Sequence, residues 1–180
     1  MSSTITIRIL DSADAAQFQR LRLQALQESP TAFASSFADE AATPLSEIAV
    51  RLKPDPDWSW VLGASADSQE LVGMVGFRRD RGLKHNHKAM LWGMYVAPEN
   101  RGRGVGRRLV EEFMARARAI DGLRQVKLTV NPAQIAATRL YSSLGFQRFG
   151  REPDAFKVGD RFFDEDYMIL RVRGDTGVTI

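Results

Sequence analysis

The densest run of chemistry-bearing residues lies between Leu91 and Arg107, where Gly93, Gly102, Gly104 and Gly106 are interleaved with Arg101, Arg103 and Arg107. Glycines permit positive φ and let successive backbone N–H groups converge, and a helix starting at Gly104 aims its positive end at the same point. Such a turn cradles phosphate, with the arginines as charge-assisted donors. No Gly-Lys-Ser/Thr follows, which argues against a nucleoside-triphosphate loop. Arg107 stands where a dinucleotide fingerprint needs its last glycine.

Val96-Ala97-Pro98 followed by Arg101-Gly102-Arg103-Gly104-Val105-Gly106 resembles a signature of the GNAT acyltransferase superfamily. A second block, Val130-Asn131-Pro132-Ala133 through Ala137, Leu140, Tyr141, Leu144, Gly145 and Phe146, follows in the order that superfamily uses. The resemblance covers roughly residues 70–146. It implies a coenzyme A diphosphate on Arg101, Gly102, Arg103, Gly104, Val105, Gly106 and Arg107. It also implies a pantetheine arm along Met94, Tyr95 and Val96, and a thioester end lined by Asn131 and the helix face bearing Thr138 and Tyr141.

The chemistry itself makes simple demands. An amine attacks the thioester carbonyl, charge develops on oxygen, and a thiolate leaves. A strand amide near Met94 or Val96 can serve as oxyanion donor. Tyr141, with a reference pKa of about 10, can donate to a thiolate whose own pKa is about 8.5. At helical spacing with Ala137, Leu140 and Leu144 it also reads as a core tyrosine. The resemblance, which places a tyrosine acid four residues before the glycine, assigns it the catalytic role. A base is harder to assign, because Leu91 to Tyr95 holds no carboxylate. Glu28, Asp164 and Glu165 or a water chain are the alternatives, and none is chosen. Asp164-Glu165-Asp166 reads foremost as a solvated strand end or turn.

The loop Glu28 to Ser36 resembles one that borders the acceptor site in the superfamily, and it reads equally as a capped connection. His85 and His87 read as solvated loop residues without further metal ligands. Trp58, Trp60 and Trp92 read as core or pocket wall.

These residues need elements to hold them. Ile5, Ile7 and Ile9 alternate with polar residues over Thr4 to Leu10, as in a half-buried strand. A capped helix runs from Asp11 or Ser12 to Pro30, a loop spans 31–43, and a short helix starts at Pro44. Three strands follow over 58–66, 70–79 and 88–96, with a bulge expected at Gly93. Val105, Leu109, Val110, Phe113, Met114 and Ala117 share one face of a helix over 104–119. A strand at 125–130, a helix at 134–144 and a hairpin turning at Gly159-Asp160 complete the order. The expected fold is α/β of the α+β kind, a single GNAT-like domain over 1–173. Its mixed, mostly antiparallel sheet is flanked by about four helices and has splayed strands at the cofactor site. Residues 174–180 are expected to form a flexible tail.

With 180 residues, no cysteine and a net charge of +3, the chain is long enough for one core, and thiolate chemistry and disulfides are excluded. Neither a leader nor a membrane span is expected, which places the protein in the cytoplasm. The six arginines between Arg101 and Arg118 face only two glutamates, a cluster suited to an anion. The expected activity is acetyl transfer from acetyl-coenzyme A to a primary amine of a small molecule or amino acid. Alternatives are a protein or peptide N-acetyltransferase, a non-catalytic acyl-coenzyme A-binding module and, from another class, a nucleic-acid-binding protein. The expected partners are acetyl-coenzyme A and the amine, with no metal, nucleic acid or membrane, and with a homodimer left open.

Overall fold

A computed structural model of the chain describes residues 4–66 and 69–172, so the expected domain end at 173 and tail at 174–180 lie outside the described residues. Seven strands form one sheet in the order β1-β2-β3-β4-β5-β7-β6. They are β1 Thr6–Ile9, β2 Ser59–Ser65, β3 Leu71–Arg79, β4 Lys88–Val96, β5 Gln125–Val130, β6 Gln147–Val158 and β7 Arg161–Arg171. All neighbours run antiparallel except β4 and β5. Among the described residues five α-helices accompany the sheet: α1 Ala15–Glu28, α2 Phe37–Ala41, α3 Leu45–Leu52, α4 Val105–Ala119 and α5 Ile135–Ser143.

Period-two burial sends alternate strand residues into two cores. On one face, Phe18, Leu21 and Ala25 of α1 and Ile48 and Leu52 of α3 pack on Val61, Leu71, Met74 and Tyr95. On the other, the apolar stripe of α4 packs on Trp60, Leu62, Val75 and Phe77. Phe113 of α4 lies 5.1 Å from the Trp60 ring and 5.7 Å from Phe77, and those two rings stack at 4.6 Å. Truncating so buried a ring costs roughly 3–5 kcal/mol, so this cluster fixes where the start of α4 meets the sheet.

The stretch 31–43, which the sequence reads as loop, contains α2. Its five residues are too few to show a period, but Ser36 caps them by accepting from the Asp39 N–H at 3.1 Å. The Asp164 to Asp166 run is also not a solvated end or turn. It lies inside β7, where Asp166 is 4% exposed and accepts from Arg151 at 2.6 and 3.0 Å.

The sheet opens where the site forms. β4 and β5 pair only from Lys88–Met90 to Gln125–Lys127, after which neither strand has a partner on that side. The bend comes at Gly93, whose φ is +63°. Two residues, Gly93 and Met94, oppose the single Val75 of β3 there, which is the bulge the glycine predicts. Among the described residues no helix is long and apolar enough to cross a membrane.

Candidate active site

A cavity of about 670 Å³ fills the gap between the splayed strands. Met94, Tyr95 and Val96 form one wall, and Gly102, Gly104, Val105, Gly106 and Arg107 close its end. Beyond Met90 the β4 edge has no β5 partner, so its backbone groups face the cavity with hydrogen-bonding capacity to spare. Gly104 caps α4 at φ +78° and Gly102 has φ +71°, so the turn needs left-handed conformations at both. The first bond of α4 runs from the Arg108 N–H to the Gly104 carbonyl, and the amides of Val105, Gly106 and Arg107 precede it. A Cβ on Gly106 would come within 3.2 Å of Met94 Cε. The missing side chain therefore lets the first turn of α4 lie close against β4.

The arginines of the turn diverge. Arg101 donates to both oxygens of Glu28 at 2.7 and 2.8 Å and to the Val96 carbonyl at 2.8 Å, and its guanidinium lies over the Tyr95 ring. The same Glu28 accepts from the Tyr95 hydroxyl at 2.5 Å. Arg101 and Tyr95 hold Glu28 below the usual carboxylate range, the Arg101 hydrogen bonds contributing most. Glu28 is therefore a latch joining α1 to β4 and a poor proton acceptor. Arg107 keeps its guanidinium at the surface, donating to the Ser143 hydroxyl at 2.8 Å.

Three expected residues stand back from the cavity wall. Arg103 turns to Asn100 at 3.4 Å, and Thr138 donates to the Gln134 carbonyl at 3.1 Å. Asn131 is buried, accepting from the Ala133 N–H and donating to the Thr31 carbonyl at 3.0 Å. It ties the turn after β5 to the loop after α1, a positioning contact between the two sides of the cavity.

Tyr141 does reach the wall. Its ring packs edge-on to Phe146 at 5.8 Å, and burial alone pushes its pKa above the ordinary tyrosine value. It therefore stays protonated, and a donor, throughout the neutral range.

The rest of the wall draws on five separate elements: Arg22 of α1, Phe33 of the following loop, Arg78 of β3, Trp92 of β4 and Glu165 of β7. Of the three carboxylates named from sequence, only Glu165 lines the cavity. Asp164 instead accepts from the Asp154 N–H at 3.1 Å. Burial raises the pKa of Glu165, while a hydrogen bond with Thr129 opposes the rise. Its raised pKa makes Glu165, once ionised, a stronger proton acceptor than an exposed carboxylate.

Arg22 was not singled out from sequence, although a signal existed. It falls four residues after Phe18 and three before Ala25, on the buried face of α1, where a cation is out of place. Trp60 is core and Trp92 is cavity wall, but Trp58 lies apart, its ring beneath Arg79 and Arg81. Among the described residues no group of three or more His, Asp or Glu gathers to hold a metal.

Comparison with known proteins agrees with this geometry. Residues 22–146 match the family described as acetyltransferase (GNAT). Over 112 residues the chain is 27% identical to the L-methionine sulfoximine/L-methionine sulfone acetyltransferase of Pseudomonas aeruginosa, a match covering 62% of this chain and 64% of that protein. Over 54 residues it is 52% identical to the mycothiol acetyltransferase of Thermobispora bispora, covering 30% of this chain and 18% of that protein. The chain thus spans under two thirds of the length of these curated relatives. Its fold superposes on a GNAT-family acetyltransferase from Streptococcus pneumoniae with a TM-score of 0.81 at 24% identity, covering 93% of this chain and 99% of the other. A phosphinothricin acetyltransferase from Sinorhizobium meliloti, solved in complex with acetyl-coenzyme A, gives a TM-score of 0.80 at 20% identity, covering 100% and 93%. At such identities the likeness is one of fold.

Proposed function

Because the chain belongs to the GNAT acetyltransferase family, we propose that it transfers an acetyl group from acetyl-coenzyme A to the primary amine of a small molecule or amino acid. The observation that carries this reading is the unpaired β4 edge, running from Gly93 directly into the glycine turn that opens α4. A pantetheine arm has amides that pair with such an edge as a strand would, and the turn supplies converging N–H groups for a diphosphate. The relatives above are named for small acceptors, which favours a small amine over a protein side chain.

In the reaction, the amine nitrogen attacks the thioester carbon and the C–S bond breaks. Glu165 takes the proton the nitrogen sheds. A free β4 amide beside Met94 stabilises the developing oxyanion, a contact of the kind that lowers such barriers by several kcal/mol. Tyr141 donates its hydroxyl hydrogen bond to the departing sulfur. Its raised pKa makes it a weaker acid than a thiol, so hydrogen-bond donation as the bond breaks is its main contribution, and solvent completes the protonation.

The test is thiol release from acetyl-coenzyme A with amino acids, polyamines, aminoglycosides and peptides as acceptors. Turnover confined to one class of small amine is expected. Turnover with peptides alone would replace the acceptor assignment, and no turnover with any amine would remove the enzymatic one.

A further inference from the structure

One buried cation at the acceptor end of the cavity is unused by this chemistry. Arg22 is 6% exposed. Its Nη2 lies 3.6 Å from Glu40 Oε1, and the other oxygen of that carboxylate is shared with Arg51 at 3.8 Å, so neither contact has hydrogen-bond length. Phe33 covers one side of the guanidinium, its centroid 4.9 Å from Cζ. Nη1 meets neither solvent nor a hydrogen-bond acceptor, the one buried side-chain nitrogen or oxygen among the described residues of which this is true.

That nitrogen faces the β4 bulge. A Cβ built on Gly93 would stand 3.8 Å from it, in ordinary contact, and both Arg22 and Gly93 line the cavity. Apart from Glu40, which Arg22 shares with Arg51, the surroundings are short of negative charge. Arg78 lines the same end, Arg101 is already matched by Glu28, and Glu165 is the one acid on the wall. A buried guanidinium with an unfilled donor, in a cavity with surplus cations, is complementary to an anion.

We infer that the acceptor carries an anionic group, a carboxylate or an equivalent oxyanion, close to its amine, and that Arg22 Nη1 is its anchor. This rests on the acyl-transfer reading above and narrows its substrate class. Glu165 then faces the ammonium end, so the two residues recognise opposite charges on one small zwitterion. Arg22 acts in specificity and takes no part in the bond-making.

The experiment is steady-state thiol release with amino acids matched against their carboxamides, which keep the shape and lose the charge. The wild type is expected to favour each acid roughly 10- to 100-fold in kcat/KM, chiefly through KM, as a charge-assisted hydrogen bond implies. Arg22→Met is expected to bring that ratio near one with acetyl-coenzyme A affinity unchanged, and Arg22→Lys to keep part of it. A wild-type ratio near one overturns the inference and leaves the acyl-transfer reading standing, and so does a ratio that survives in Arg22→Met. If Arg22→Met does not fold, the wild-type ratio and the lysine variant decide. If no amine turns over although acetyl-coenzyme A binds, the same acid and amide pairs are compared by thermal shift of that complex, and equal shifts overturn the inference. Absence of acetyl-coenzyme A binding instead removes the underlying reading.

Discussion

The wall that the proposed reaction gives to the donor runs through nearly consecutive residues, Met94 to Arg107, whereas the wall it gives to the acceptor draws Arg22, Phe33, Arg78 and Glu165 from elements far apart in the chain. The first is set by local backbone geometry: a bulge, two left-handed glycines and a helix start. The second exists only once α1 has packed on the sheet that contains β3 and β7. A diphosphate and a pantetheine arm can be bound mostly by main chain, so their wall depends on backbone shape and on the glycines that permit it. An acceptor is distinguished by side chains, so its wall is free to vary around a fixed frame.

Where the walls meet, Tyr141 should carry the largest single effect. Tyr141→Phe is expected to reduce kcat by roughly 10²–10³-fold while leaving acetyl-coenzyme A affinity within about twofold, checked by thiol release and calorimetry. Equal losses in both would assign Tyr141 to the donor wall as a packing residue. Its raised pKa also requires that no alkaline loss of activity appear before pH passes the ordinary tyrosine value of about 10.

On the acceptor wall, Glu165→Gln is expected to lower kcat by roughly 10²-fold. Glu165 works as a base only when ionised, and burial raises its pKa. Wild-type activity should therefore fall with decreasing pH from above the usual carboxylate range, and the variant should lose that dependence. A retained profile would place the base elsewhere.

On the donor wall, Gly104→Val forces a branched residue into φ +78°, a strain of about 1–2 kcal/mol. If the turn relaxes to escape it, acetyl-coenzyme A binding weakens about tenfold while KM for the amine is unchanged. A shift in the amine's KM alone would contradict the division between the walls.

The smallest effect concerns the latch between them. Glu28→Gln removes the charge and one of the two oxygens that accept from Arg101 and Tyr95 at a partly exposed site, so the loss should stay at or below about 1 kcal/mol. The folded pKa of Glu28 is depressed. The stabilisation is therefore fully present above the unfolded value of about 4.3 and disappears as pH falls through the folded one. Denaturation of both proteins at pH 7 and pH 3 should show a smaller difference at pH 3 than at pH 7.

The same contrast explains what could be read from the chain. The helix stripe from Val105 to Ala117, the bulge at Gly93 and the turn at Gly104 were legible, because each depends on residues within a few positions of one another. Tyr141 was singled out through the family resemblance, whereas its spacing indicated a core residue, and it is both buried in the core and part of the cavity wall. Glu165 could be named but not chosen, because its cavity position follows from β7 inserting between β5 and β6. Arg101 lines the cavity, but its pairing with Glu28, at the end of α1, has no local signature in the chain. Asn131, Arg103 and Thr138 carry polar groups that satisfy nearby backbone or side-chain partners, a competition that spacing does not reveal.

The central claim is that the opened β4 edge and the turn before α4 bind an acyl-coenzyme A. Titrating acetyl-coenzyme A into the protein in a calorimeter tests it most directly. The account predicts saturable heat for one molecule per chain, weakened by Gly104→Val and unaffected by Arg22→Met. No heat of association, or binding indifferent to Gly104→Val, would contradict it.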